Sequence, residues 1–298
     1  MDYTLIPKLF FDNLESHFGK LVSEKVKLGL TLPPTVSVRI NPEKPTHKFD
    51  QERKVPWAPW SFLLKERHSF SLDPLFHAGA YYVQDSSSMV LDFILSKLEF
   101  SSEGILALDA CAAPGGKSLI LSDFLKNKGF LIANEIDGKR NAILSENLLK
   151  WGSAHHAVTQ LSSQKWREIG GVFDLVLVDA PCSGEGMFRK DDFAVTQWSN
   201  SLINQCAESQ RQILDNLSET IIEGGYLIYS TCTMNPFENE NQLEHLLENG
   251  FESATPDLSQ FSEFLIPIHL ENKLVGYYLL PCISTGEGLF ISVLRKTS

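Results

Sequence analysis

The chain has 298 residues, enough for roughly two domains and for a core that needs no disulfide or metal staple. Hydrophobic residues make up 43% and charged residues 21%, which excludes a disordered chain, a collagen-like repeat and a small disulfide scaffold. The net charge of −11 argues against unspecific adhesion to nucleic acid, but it is uneven: +3 over residues 1–70 and −14 over 71–298. The front segment is therefore the less repulsive face for a polyanion. No window approaches 18 uninterrupted apolar residues, and Met1-Asp2-Tyr3-Thr4 begins no basic-then-apolar leader, so neither a membrane span nor a signal peptide is expected. The five cysteines, at 111, 182, 206, 232 and 282, are odd in number and lack zinc-knuckle spacing. Free thiols in a reducing, cytoplasmic compartment are expected, with no metal; each is an inert small hydrophobe or a working thiolate.

Leu5 to Leu30 reads as one or two amphipathic helices, and Val36–Ile40 alternates as a strand does. Prolines at 42, 45, 56 and 59 preclude a long helix in the next stretch. Ser86–Leu98 reads as helical, with Met89, Phe93 and Ile94 on one face. From residue 104 the rhythm changes. Strands are expected at Ile105–Ala110, Phe130–Asn134, Phe173–Val178, Tyr226–Ser230 and Leu289–Leu294. Helices are expected at Lys117–Leu125, Gly138–Leu149, Trp198–Ile222 and Glu238–Leu247. Alternating strands and helices predict an α/β fold, a Rossmann-like parallel sheet covered on both faces, with every strand's carboxyl end on one edge.

That edge collects the chemistry. The first strand ends at Asp109-Ala110-Cys111-Ala112-Ala113-Pro114-Gly115-Gly116-Lys117, and the second at Asn134-Glu135-Ile136-Asp137. Later strands end at Asp179-Ala180-Pro181-Cys182 and Ser230-Thr231-Cys232-Thr233. Acids and cysteines thus converge where doubly wound sheets bind ligands. Two glycines before a helix permit close backbone approach and offer free N–H groups. The loop is neither a dinucleotide fingerprint nor a Walker loop. Glu135 stands where an acid can bind a ribose diol. An inert core explains Cys111, Cys206 and Cys282; it does not explain Cys182 and Cys232, which lie in polar, Pro- and Gly-marked turns. His77, His155 and His156 show no ligand spacing, and the Tyr81-Tyr82 pair, with Gln84, is read as packing before it is read as a ligand border.

The blocks LDACAAPGGKS (108–118), ANEID (133–137), LVDAPCSGEGMFRKD (177–191) and YSTCTMNPFENE (229–240) resemble the RNA cytosine-5 methyltransferases related to the Nol1/Nop2/Sun proteins, nearest the bacterial 16S ribosomal RNA branch. GEGLF (286–290), VSVRINP (36–42) and HAGAYYVQDSSSM (77–89) are similar to the family's last strand and entry region, so the likeness covers most of the chain. The resemblance implies a Rossmann-like S-adenosylmethionine-dependent domain over residues 76–298, preceded by a small α+β RNA-binding region over 1–75. It puts S-adenosyl-L-methionine on Cys111, Ala112, Ala113, Pro114, Gly115, Gly116 and Lys117, with Glu135 on the ribose and Asp179 near the methyl donor. At Thr159-Gln160-Leu161-Ser162 it offers Ser162 where the family has an acid for the adenine side.

By the same resemblance Cys232 is the nucleophile, Cys182 assists product release, and Asp179 hydrogen-bonds the ring. Arg39, Arg189 and Lys190 become the expected contacts to RNA phosphate. The implied partner is RNA, ribosomal RNA or the small subunit foremost, bound by a monomer. The chemistry fits these residue types. Carbon 5 of cytosine is too electron-poor to attack a sulfonium methyl, and a thiolate added at carbon 6 makes it nucleophilic. Alternatives are a transfer RNA substrate, a DNA cytosine-5 methyltransferase using Pro181-Cys182, a redox dithiol, or a non-catalytic RNA-binding ribosome-assembly factor. Relatives in this branch carry a further RNA-binding extension; in its place, target recognition is expected to rest on residues 1–100 or on an assembled subunit.

Overall fold

Alternation in burial decides how the chain layers. The computed structural model describes residues 5–100 and 104–297; Met1–Thr4, read above for a leader, lies outside them. Two helices come first, Lys8–Phe18 (α1) and Lys20–Thr31 (α2). Strands Val36–Ile40 (β1), Arg53–Val55 (β2) and Ala58–Leu64 (β3) follow, then a short helix Pro74–His77 (α3) and strand Tyr81–Val83 (β4). The four strands form an antiparallel sheet in the order β2-β3-β1-β4 over its own core of Val38, Ile40, Phe49, Phe62, Leu64, Phe70 and Tyr81.

After Val90–Leu95 (α4) the second sheet begins with Ile105–Asp109 (β5), Gly116–Leu125 (α5), Gly129–Asn134 (β6), Gly138–Trp151 (α6), His156–Thr159 (β7) and Ser163–Arg167 (α7). It continues through Phe173–Asp179 (β8), Asp192–Gln197 (α8), Asn200–Ser218 (α9), Ile221–Thr231 (β9) and Glu240–Glu248 (α10). Phe251–Ser253 (β10), Ile266–Leu270 (β11), Lys273–Leu279 (β12) and Leu289–Lys296 (β13) complete it. The order is β11-β12-β13-β9-β8-β5-β6-β7, with β10 paired to β13.

Strand residues two apart share a face, and here both faces are apolar. Leu175, Leu177, Leu289, Ile291 and Val293 face one core, with Leu119, Leu144 and Leu148 from α5 and α6. Val176, Val178, Phe290 and Leu294 face the other, with Leu214 and Leu217 from α9 and Leu243 and Leu246 from α10. Phe10, Leu14, Val26 and Leu30 of α1 and α2 join this second core. Phe10 lies edge-on to Phe188 and Trp198, at 5.1 and 5.8 Å between centroids. The first two helices thus pack against the large sheet, while the small sheet that follows keeps a separate core. Asn41 locks that sheet to the end of α6, its Nδ2 donating to the Gly79 and Trp151 carbonyls at 3.0 and 2.8 Å.

Two expectations need correction. Only β9-β8-β5-β6-β7 is parallel; β10 to β13 are antiparallel additions. Of these, β11 and β12 join through Glu271-Asn272, both at positive φ, a tight hairpin that carries no glycine to announce it. The helix expected over Trp198–Ile222 stops at Ser218. Ile221 and Ile222 match an apolar helix face in sequence, but Ile221 is taken into the sheet opposite Phe173. Elsewhere the expected strands and helices stand within a few residues, although Ser86–Leu98 is α-helical only over Val90–Leu95.

Candidate active site

The strand order reverses at β5, with β6 on one side and β8 on the other, and a crevice opens beyond their carboxyl ends. A cavity of about 660 Å³ fills it, lined by Cys111, Lys117, Glu135, Asp179, Cys182 and Cys232 among others. Residues from four separate strand ends therefore meet in one place. A second cavity of about 640 Å³ adjoins it, sharing Cys111, Ile136, Pro181 and Ile213 and adding Ser162.

The loop after β5 is shaped for a ligand's approach. Gly115 takes φ +117°, a conformation that disfavours a side chain. A Cβ on Gly116 would stand 3.1 Å from the Gln84 amide nitrogen. Gln84 is buried against this turn with both side-chain polar atoms unpartnered. Cys111, Ala113, Pro114 and Lys117 line the cavity. Ala112 is buried behind them, its N–H donated to the Asn134 carbonyl. Glu135 is buried at 3% exposure, receives the Asp137 N–H at 3.0 Å and pairs with Arg140 at 3.3 Å. Ser162 caps α7 through the Lys165 N–H and faces the second cavity.

Lys117 and Asp179 form an ion pair at 2.8 Å, and the other Asp179 oxygen accepts from Ser230 Oγ at 2.8 Å. Burial alone would push the Lys117 ammonium down; the Asp179 carboxylate outweighs it and holds the pKa above its ordinary value. One turn back, burial pushes Asp109 up to about 7, against the hydrogen bond from Ser118. Its Oδ1 has no partner, as suits a protonated carboxyl. A raised carboxyl pKa costs stability once the group must ionise in place. Stability is therefore expected to fall as pH rises from about 4 to about 7, by a few kcal/mol at most, about 1.4 per pKa unit. Denaturant midpoints across that window, for the protein and for Asp109→Asn, check this: the variant should lose the slope.

The two thiols are in contact. Cys182 Sγ and Cys232 Sγ stand 3.1 Å apart. Cys182 is pushed well above its ordinary pKa, first by its hydrogen bond to Cys232 and then by burial. Burial also pushes Cys111 up, as suits a structural thiol. Cys206 is half-buried, whereas Cys282, expected in the core, is exposed.

Sequence reasoning missed what holds these loops together. Glu238, fully buried, accepts from the Ser183 N–H at 3.0 Å, Gln210 Nε2 at 2.8 Å and Asn235 Nδ2 at 2.8 Å. Glu185 accepts from the Met234 N–H and Trp198 Nε1. The Gly186 N–H donates to the Cys232 carbonyl at 2.7 Å. The acids of SGEG and PFENE thus bind each cysteine's loop to the other's. Asn134 does the same for β5 and β7, holding Ala110, Thr159 and Leu161. The signal was present, since these residues stand inside the quoted blocks, but their partners are set by the fold.

Two expected RNA contacts do not survive. Arg39 is 1% exposed and clamped between Asp92 and Asp123 at 2.7 and 2.9 Å. Arg189 is buried on Glu287 at 2.5 Å and on the Gly29 and Gly286 carbonyls. Both guanidinium groups have their charge met inside the protein, and neither can reach phosphate. Lys190 does border the cavity, 3.7 Å from Asp85 and 3.5 Å from Glu287. Tyr81 is packing, its hydroxyl on Asp73. Tyr82 flanks Gly116.

Sheet, flanking helices and crevice are those of a Rossmann-like methyltransferase fold. The family model for 16S rRNA methyltransferase RsmB/F matches residues 97–295, and that for the N-terminal domain of 16S rRNA methyltransferase RsmF matches 6–86. The chain belongs to the RsmB/F family. It is 33% identical over 256 residues to the ribosomal RNA small subunit methyltransferase F of Aliivibrio fischeri strain MJ11, covering 82% of this chain and 52% of that protein. It thus spans about half the length of the curated relatives it matches. A methyltransferase homologue from Pyrococcus horikoshii is 27% identical at a TM-score of 0.76, covering 97% of this chain and 95% of the other. NSun6 from the same archaeon, solved with SFG, shares the fold at a TM-score of 0.81 and 19% identity, covering 98% of each chain. No helix among the described residues is long and apolar enough to cross a membrane.

Proposed function

We propose that this chain transfers a methyl group from S-adenosyl-L-methionine to carbon 5 of a cytosine in RNA, 16S ribosomal RNA foremost, through a covalent cysteine adduct. Residues 1–75 then serve as the RNA-binding region and 76–298 as the catalytic domain, working as a cytoplasmic monomer. The observation that carries the reading is the contact of Cys182 and Cys232 beside the Lys117–Asp179 pair.

The residues present fit the cofactor. The turn before α5 offers free N–H groups, Glu135 offers a carboxylate to a ribose diol, and the joined cavities suit a ligand of that size. Glu135, the Cys111–Lys117 loop and, on the adenine side, Ser162 would hold it. When bound, the cofactor supplies an electrophilic sulfonium methyl. Cys232 adds through sulfur to carbon 6 of the cytosine, and carbon 5 becomes nucleophilic. Asp179, paired with Lys117 at 2.8 Å, accepts from the ring's amino group and fixes its orientation. After methyl transfer a base takes the proton from carbon 5 as the carbon 6–sulfur bond breaks and Cys232 leaves with the electron pair; Cys182, 3.1 Å from that sulfur, assists the release. The base must leave its stack to enter, which is cheapest in an unpaired loop.

Small subunits, or their RNA, incubated with methyl-labelled cofactor and digested to nucleosides test the reading. Label in 5-methylcytidine is the expected result. Label in another nucleoside, or none in any RNA despite cofactor binding, would defeat it.

A further inference from the structure

With Arg39 and Arg189 buried, the cations that could meet a nucleic-acid backbone must lie elsewhere. A groove of about 700 Å³ runs between the small sheet and the catalytic core, lined by Arg53, Lys65, Arg67 and Lys190 over a floor that includes Pro33, Pro34 and Leu63. Arg53, Lys65 and Arg67 are exposed, and none has an ion-pair partner among the described residues. Glu66 is the acid among the lining residues, and the Glu52 carboxylate nearby accepts the Lys65 N–H at 3.1 Å, so the cations still outnumber the acids. In a chain of net charge −11, three cations without ion-pair partners, against Glu66 and Glu52, leave a local excess of positive charge on one groove.

The groove adjoins the catalytic cavity, with Lys190 lining both. Their walls are also tied together. The Thr35 N–H donates to Glu287 Oε1 at 3.1 Å and its hydroxyl to the Thr285 carbonyl at 2.7 Å. Thr285 lines the groove, and Glu287 and Gly288 line the cavity. A strand whose base sits beside Cys232 would leave the cavity past Lys190 and run onto Lys65, Arg67 and Arg53.

We infer that this groove is the track for the single-stranded RNA flanking the target cytosine, its phosphates paired with Arg53, Lys65 and Arg67 and its bases laid on the proline and leucine floor. The inference rests on the RNA reading above and locates the strand's path. The three side chains are exposed, Arg67 lying 5.9 Å over the Phe70 ring, and a thermal melt of the variant checks that the fold is kept.

The test is binding of a fluorescent single-stranded RNA, measured across salt, to the protein and to the combined variant Arg53→Ala, Lys65→Ala, Arg67→Ala, with S-adenosylmethionine titrated into both. The variant should lose about tenfold or more in RNA affinity at low salt. Its log–log salt slope should shrink by about 2, near 0.7 for each lost phosphate contact, with cofactor affinity unchanged. A photoreactive uridine beside the target should crosslink within residues 53–67. An unchanged slope and affinity, with crosslinks elsewhere, would overturn the track and leave the RNA reading standing. No RNA binding by the unaltered protein would overturn both.

Discussion

Cys232→Ala is expected to abolish methyl transfer, by about 10⁴-fold or more, the scale seen when a covalent nucleophile is removed. Cofactor affinity should not change, because the Cys111–Lys117 loop and Glu135 are untouched. Cys182→Ala should behave differently. It leaves the attacking sulfur in place and removes the neighbouring thiol 3.1 Å away. Turnover should fall comparably, but a protein–RNA adduct should now survive denaturing electrophoresis. The double replacement should form none. Equal trapping by both single variants would refute the division of roles. A DNA-type mechanism through Cys182 would instead leave Cys232→Ala active.

Glu238→Ala should be the most damaging change outside the thiols. It strips the acceptor from Ser183 N–H, Gln210 and Asn235 in a fully buried site. The Ser183 N–H and one Gln210 hydrogen are orphaned, while Asn235 Nδ2 keeps Thr233 and Glu185; at about 1–3 kcal/mol for each orphaned donor, a loss of about 2–6 kcal/mol is expected. The functional effect follows from the same bonds, since Ser183 adjoins Cys182 and Asn235 lies on the loop that begins at Cys232. Glu238→Gln, which keeps acceptor oxygen at the site, should recover part of both. The diagnostic is turnover at saturating RNA and cofactor: a positioning role lowers kcat with little change in KM. Chemical denaturation measures the stability loss. Full activity in a destabilised Glu238→Ala protein would reduce Glu238 to a structural anchor.

The catalytic half was largely legible in the sequence. Short apolar runs such as Phe173–Val178 end in acids or cysteines, and a sheet buried on both faces has few other ways to arrange them. Of the antiparallel strands after β9 only Leu289–Leu294 was legible; β10 to β12 were not, because Glu271-Asn272 makes a hairpin without glycine and β10 is three residues long. Arg39 and Arg189 misled for a different reason. A cation's solvent access depends on carboxylates distant in the chain, Asp92 and Asp123 for one and Glu287 for the other. Glu185 and Glu238 stood in quoted blocks without a role, since only burial reveals them as acceptors.

The sequence by itself determined the doubly wound half of the sheet and the residues placed on its ligand-binding edge, because strand periodicity and the turn chemistry at strand ends are local properties. Only the tertiary structure decided that the Cys182 and Cys232 thiols meet, which arginines are spent inside the protein and where free positive charge is left for a polyanion. Those outcomes depend on burial and on distances between segments tens to hundreds of residues apart, which no local pattern encodes.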